Sequence, residues 1–258
     1  MSGTGRHEHD WDWVIIGSGF GGSVSALRLA EKGYRVLVLE KGRRWEDEDY
    51  PTTNWNIPRW LWIPLLKCFG FFKITIFRHV TVLSGVGVGG GSLVYANTLA
   101  EPDDRFFEAP SWSHLADWKT ELAPFYPRAR RMLGTTTSPR TEVGDEALRS
   151  IAADLDREEG FRPTEVGVWF GEEGETVPDP YFDGEGPDRT GCIFCGACMT
   201  GCRHNAKNTL DKNYLWLAER RGVRIQAESE VTDVRPLGAE NGSDGYQVSW
   251  KKSTRWFG

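Results

Sequence analysis

The chain has 258 residues, enough for one large or two modest domains with a sizeable core. A formal net charge of −6 excludes a nucleic-acid surface as the expected partner. Twelve Trp, thirteen Phe and seven Tyr suit a bulky apolar ligand or a membrane surface.

No apolar h-region precedes the first predicted strand, so the sequence reads as cytoplasmic. In that compartment clustered cysteines are more often ligands or free thiols than disulfides. There is no internal repeat.

The segment WDWVIIGSGFGGSVSALRLAEKGYRVLVLEKG opens the chain's chemistry. Val14 to Ile16 read as a short buried strand. Gly17, Gly19 and Gly22 then supply G-x-G-x-x-G, with Phe20 and Gly21 completing the turn. Val24, Leu27, Leu29 and Ala30 keep a helical period, and Gly33 stops the helix. Val36 to Leu39 form a second strand that ends in Glu40, eighteen positions after Gly22. Each residue type has a task in binding a dinucleotide. Gly17 makes the tight turn, and Gly19 lets backbone approach a pyrophosphate held at the helix N-terminus. Gly22 allows close helix–strand packing, and Glu40 accepts hydrogen bonds from ribose hydroxyls. The motif alone does not separate FAD from NAD.

Residues 51–80 contain three Trp, four Phe and no acid, with Arg59, Lys67, Lys73 and Arg78 between the apolar runs. Pro58 and Pro64 interrupt them, and no run reaches the ~20 apolar residues of a membrane span. Two readings stand: a lid and core segment over a substrate cavity, or a surface in peripheral contact with membrane.

A second glycine run, LSGVGVGGGSLVYANTLAEP, follows at residues 83–102. Gly85, Gly87 and Gly89 to Gly91 let backbone lie against a flat or charged ligand. Val86, Val88, Leu93 and Val94 between them argue against a flexible linker. Residues 145–159 read as a helix with Ala147, Leu148, Ile151, Ala152 and Leu155 on one face. Residues 171–190, acidic with Gly and Pro, read as a solvated loop.

GCIFCGACMTGCRH, residues 191–204, holds four of the five cysteines as C-x2-C-x2-C-x3-C. Cys192, Cys195, Cys198 and Cys202 are candidate iron–sulfur ligands. Buried thiols in a glycine-rich loop are the equal alternative, because Arg203 rather than Pro follows and there is no second run. Four cysteines in eleven residues are tight for zinc. Leu210, Tyr214, Leu217 and Ala218 make another amphipathic helix before a strand from Val223.

Three stretches carry a resemblance to the glucose–methanol–choline (GMC) oxidoreductases, especially their cholesterol oxidase branch. They are DWVIIGSGFGGSVSALRLAEKGYRVLVLEKG, GVGVGGGSLVYANTLAEP and AKNTLDKNYLWLAERRGVRIQAESEVTDVRP, with LADWKTELAPFYPRARRMLG as a weaker fourth. The resemblance implies FAD and oxidation of an alcohol, with a sterol or other bulky lipid alcohol as substrate. Hydride would pass to flavin N5, and then to oxygen or, through a cluster, to a one-electron acceptor. It places Gly90, Gly91 and Ser92, then Tyr95, Ala96, Asn97 and Thr98, near the isoalloxazine. It puts the backbone of Val231 at the adenine. In cholesterol oxidases an Asn and a Gly stand where this chain has Tyr95 and Ala96. No His occurs here for a covalent flavin link.

The fold expected is α/β, a Rossmann-type FAD-binding domain interrupted by an α+β substrate domain. Residues 1–50, 80–104 and 205–258 fall to the first, and 51–79 and 105–204 to the second. The chain reads as the N-terminal part of a longer enzyme, with the catalytic His and Asn expected beyond Gly258. A non-catalytic dinucleotide- or cluster-binding protein is the alternative from another class.

Overall fold

The computed structural model describes residues 11–254. In chain order its main elements are β1 (Trp13–Ile16), α1 (Phe20–Glu31), β2 (Val36–Leu39), β3 (Phe72–Ile76) and β4 (Thr81–Gly85). Then come α2 (Tyr126–Met132), α3 (Val143–Asp154), α4 (Tyr214–Arg220), β5 (Arg224–Gln226), β6 (Ser229–Pro236) and β7 (Tyr246–Lys252).

The strands β1, β2 and β5 form a parallel sheet with β2 in the middle, and Ile15 and Ile225 both pair with Val38. Its central position explains why β2 is a continuous apolar run: a parallel strand with neighbours on both sides has two faces to bury. The helix α1 buries Ser23, Ala26, Leu27 and Ala30, a spacing of three, four and seven that fixes one face. It ends where the Gly33 N–H donates to Ala30 O at 2.9 Å with Gly33 at φ +85°. Against that face packs α4, which buries Tyr214, Leu215, Leu217 and Ala218. These residues, with Val36, Val38, Val88, Met132, Leu210 and Val223, make the main core. Each fully buried aliphatic side chain here contributes about 1.5–3 kcal/mol.

A second core of Trp45, Tyr50, Phe71, Phe72, Leu93 and Val94 lies under the second glycine run. Trp60 stacks on Phe72 at 4.8 Å. Residues 51–80 therefore divide. Phe71 and Phe72 are core, whereas Trp55, Leu65, Leu66, Ile76, Phe77 and Val80 are exposed, the last three at the turn of the β3–β4 hairpin. Among the described residues no helix is long and apolar enough to cross a membrane.

Three regions differ from the expectation. The strand β1 forms but is not buried: Val14 and Ile15 are half-buried and Ile16 is 57% exposed. The helix α3 forms, but Leu148, Ile151 and Leu155 stay more than half exposed. Residues 171–190 are not a free loop. Thr176–Val177 pairs with Arg189–Thr190, and the Asp179 carboxylate accepts hydrogen bonds from the N–H groups of Tyr181, Phe182, Gly184 and Gly186. Part of the acidic character thus builds a turn.

Candidate nucleotide site and the loop beside it

The turn between β1 and α1 is set by Gly17, whose φ of +92° excludes most side chains and whose N–H donates to Leu39 O at 2.8 Å. A Cβ on Gly22 would stand 2.0 Å from Gly17 O and 3.2 Å from Ile15 Cγ2, so the third glycine is what lets α1 close on β1. Cβ atoms built on Gly19 and Gly21 meet nothing within 4 Å. Gly19 is the N-cap of α1, with no side-chain acceptor at the cap and no acid in the first turn. The backbone N–H groups opening α1 thus lack a side-chain cap and stand at the positive end of the helix dipole, a setting that fits an anionic pyrophosphate.

Glu40 is 5% exposed. Its Oε2 accepts from Ser18 N at 3.0 Å and Ser18 Oγ at 2.8 Å, and its Oε1 accepts from Gly42 N at 2.8 Å. Ser18 Oγ also accepts from Gly89 N at 3.1 Å, which ties the first glycine turn to the second glycine run. The two runs touch directly: a Cβ on Gly90 would lie 2.7 Å from Gly19 Cα. Ser92 is fully buried, donates to Gly89 O at 2.8 Å and accepts from Leu210 N at 3.0 Å. The structure therefore brings Gly17, Gly19, Phe20, Gly21, Gly22, Glu40, Gly90, Gly91 and Ser92 into one neighbourhood. A carboxylate has about four acceptor sites, and Ser18 N, Ser18 Oγ and Gly42 N occupy three of those of Glu40.

Beyond Ser92, Tyr95 packs edge-on against Phe20 with ring centroids 6.0 Å apart, and its hydroxyl donates to Asn208 O at 3.2 Å. Ala96 and Thr98 are exposed, while Asn97 is buried with φ +67°. Among the described residues Asn97 Oδ1 is buried without a hydrogen-bond partner. Val231 follows two residues after Ser229, whose N–H donates to Glu40 O at 2.8 Å.

A family model for NAD(P)-binding Rossmann-like domains matches residues 15–45, the β1–α1–β2 unit and the residues just after it. A cholesterol oxidase of Acinetobacter baumannii is 51% identical over 256 residues, covering 97% of this chain and 46% of that protein. An uncharacterized GMC-type oxidoreductase of Mycobacterium tuberculosis is 28% identical over 231 residues, covering 85% of this chain and 32% of that protein. The chain belongs to the GMC oxidoreductases. It spans less than half the length of these relatives. The crystal structure of pyridoxine 4-oxidase from Mesorbium loti shares the fold, with a TM-score of 0.54 at 17% identity over 93% of this chain and 48% of that one.

Among the described residues of this GMC chain the cysteine run lends no support to the expected ligand set. Among the described residues no three His, Cys, Asp or Glu side chains come together as a metal site. The iron–sulfur expectation for Cys192, Cys195, Cys198 and Cys202 therefore finds no support in this geometry. Positive φ at Phe194, Gly196 and Gly201 redirects the backbone between successive cysteines. Cys192 N donates to Trp169 O at 3.0 Å, Cys195 is exposed, and Cys198 starts a separate 3-10 turn. Burial pushes the Cys192 thiol pKa up, which favours a protonated thiol.

The sequence reading missed two cations. Arg189 and Lys207 are each 1% exposed. Arg189 donates to Asn205 O at 3.1 Å and Lys207 O at 2.9 Å. Lys207 Nζ donates to Leu93 O at 3.0 Å and Cys198 O at 2.8 Å, and burial pushes its pKa down to about 7. The available signal was AKNTL itself, a lysine three residues before the buried Leu210 that opens a 3-10 turn.

Proposed function

We propose that the full-length protein is an FAD-dependent alcohol oxidase acting on a sterol or another bulky lipid alcohol. The observation that carries this reading is the junction at Ser18. It joins Glu40, the first glycine turn and the second glycine run into one cradle, in a chain 51% identical to a protein named cholesterol oxidase. When bound, FAD supplies a two-electron acceptor for hydride from the CH–OH carbon.

In this reading the N–H groups of Phe20 and Gly21 receive the pyrophosphate, and Glu40 takes a ribose hydroxyl on its remaining acceptor site. Gly90 and Gly91 let the ring system lie close, with Tyr95 to Thr98 along it, and the Val231 backbone meets the adenine. Residues 1–50, 80–104 and 205–258 serve the cofactor, and 51–79 and 105–204 the substrate. Met132, from the substrate part, lies in the main core with residues of the cofactor part, which supports this division with the two parts side by side. No residue of this chain is assigned the hydroxyl proton, and oxygen is the acceptor.

The β3–β4 hairpin is the element we assign to lipid contact. Ile76 is 79% exposed and Phe77 57%, beside Arg78, in a stretch without Asp or Glu. Pelleting with anionic and neutral vesicles tests it: weaker anionic-vesicle binding by Phe77→Asp supports the contact, and equal binding contradicts it.

The activity is tested by anaerobic mixing of the FAD-loaded, full-length protein with a 3β-hydroxysterol. Bleaching of the flavin bands, reversed by admitting oxygen, is expected. A flavin that stays oxidised with sterols and long-chain alcohols alike contradicts the reading, and recovery only with a one-electron dye would reassign the acceptor.

A further inference from the structure

Lys207 is a fully buried lysine, and no carboxylate forms an ion pair with it among the described residues. Its Nζ is bound by two backbone carbonyls and lies 4.7 Å from the centroid of the Tyr95 ring. The charged or titratable groups acting on it are Cys198, Cys202, Asp211 and Lys212. Burying such a group is costly, and an apolar side chain of similar volume would fill the space at lower cost. Its retention is explained by what it holds.

Leu93 is the last residue of the 3-10 segment Gly90–Leu93, where a helical turn leaves carbonyls without partners. Cys198 is the first residue of the turn Cys198–Thr200 in the neighbouring loop. Lys207 bonds both carbonyls at once, so it joins the end of the second glycine run to the Cys-rich loop. The residue after it completes the arrangement. Asn208 O accepts from the Tyr95 hydroxyl, and Asn208 Nδ2 donates to Gly134 O at 3.3 Å and Tyr181 Oη at 3.0 Å. Tyr95 is thus held on its ring by Lys207 and at its hydroxyl by Asn208. On its other side the ring meets Phe20, in the first turn of α1.

We infer that Lys207 is a positioning residue for the cofactor-facing stretch Leu93–Thr98, clamping that stretch to the Cys-rich loop and to the Tyr95 ring. The inference rests on the reading that FAD lies along this stretch. Lys207 acts through backbone and through Tyr95, so its loss alters how the flavin is held and not only how stable the protein is.

The test uses full-length, FAD-loaded protein and reads the visible circular dichroism of the bound flavin together with the FAD dissociation constant. Lys207→Met, Tyr95→Leu and the double variant are compared with wild type. Lys207→Met is expected to weaken FAD by about tenfold, because a stretch no longer held in its bound conformation must be ordered when FAD binds. It is also expected to change the flavin dichroism in the same sense as Tyr95→Leu. The double variant should be no worse than the more affected single one, since both release the same stretch. Unchanged dichroism and affinity in Lys207→Met would overturn the inference, as would effects that simply add. If Lys207→Met does not fold, Tyr95→Leu decides, and an unaltered flavin signal in it overturns the clamp. A wild-type protein that takes up no FAD would instead overturn the FAD reading, and the inference with it.

Discussion

Replacing Gly22 by Ala separates packing from cofactor contact at the heart of the cradle. The added Cβ would sit 2.0 Å from Gly17 O, and real Cβ atoms essentially never approach closer than 3.0 Å. Relief therefore requires α1 and the end of β1 to part by about 1 Å. Gly17 O and the Gly17 carbonyl carbon, 3.1 Å from the added Cβ, are backbone atoms, so no side-chain rotation can relieve them. Overpacking of this kind costs about 3 kcal/mol at the upper end of its usual range. Ala inside a helix recovers about 1 kcal/mol relative to Gly. The net cost is about 2 kcal/mol, a fall in Tm of about 4–8 °C for a chain of this size. Gly21→Ala is the matched control. It lies in the same turn of α1, its Cβ meets nothing within 4 Å, and it should leave Tm unchanged or raise it slightly. The assay is thermal unfolding of the FAD-free protein, which removes stabilisation by bound ligand from the comparison. A Gly22→Ala protein as stable as Gly21→Ala would refute the close-packing argument.

Glu40→Ala should do more than weaken FAD. It leaves the N–H groups of Ser18 and Gly42 without their acceptor in a buried site, so a stability loss of about 3 kcal/mol or more is expected; urea unfolding without FAD checks this, and a wild-type midpoint would contradict it. The Arg130 guanidinium bonds the Glu165 carboxylate and holds its pKa below the ordinary value. A lowered carboxylate pKa stabilises the fold above the unfolded value and loses that contribution as pH falls through the folded one. Because the pair is solvent-exposed, Arg130→Ala should cost only about 0.5 kcal/mol at neutral pH and nothing in strong acid; a pH-independent cost would contradict it. Cys195 is exposed, and Cys195→Ser should change stability by no more than about 0.5 kcal/mol. Iron and acid-labile sulfide in anaerobic, full-length protein should stay at background, and stoichiometric values of both would restore the cluster reading.

What the sequence could disclose depended on the range of the contact involved. Val36 to Leu39 were legible as a strand because four consecutive apolar residues with β-branched members fit a two-sided parallel strand, and the structure has the same bounds. The roles of Gly17 and Gly22 were legible because both act within one β–α turn. Glu40 was legible as an acceptor, but its bonds to Ser18 join residues 22 positions apart, and pattern alone does not supply that geometry. The periodicity of α3 announced an amphipathic helix, yet whether its apolar side is covered depends on elements remote in sequence. The cysteine spacing suggested ligands, while the turns at Phe194, Gly196 and Gly201 that redirect the loop left no comparable mark. Lys207 was the least legible, because a lysine is almost never fully buried and its two carbonyl partners come from residues 93 and 198.

The most direct test of the cradle is the visible absorption spectrum of the full-length protein after incubation with FAD and removal of free cofactor. Flavin bands at one FAD per chain in wild type, and their absence in a folded Gly19→Val protein, are the expected result. The valine side chain would fill the space at Gly19, where no atom of the described residues stands within 4 Å of a Cβ. A wild-type protein that retains no flavin, or a Gly19→Val protein that retains as much as wild type, would contradict the assignment of this turn to the cofactor.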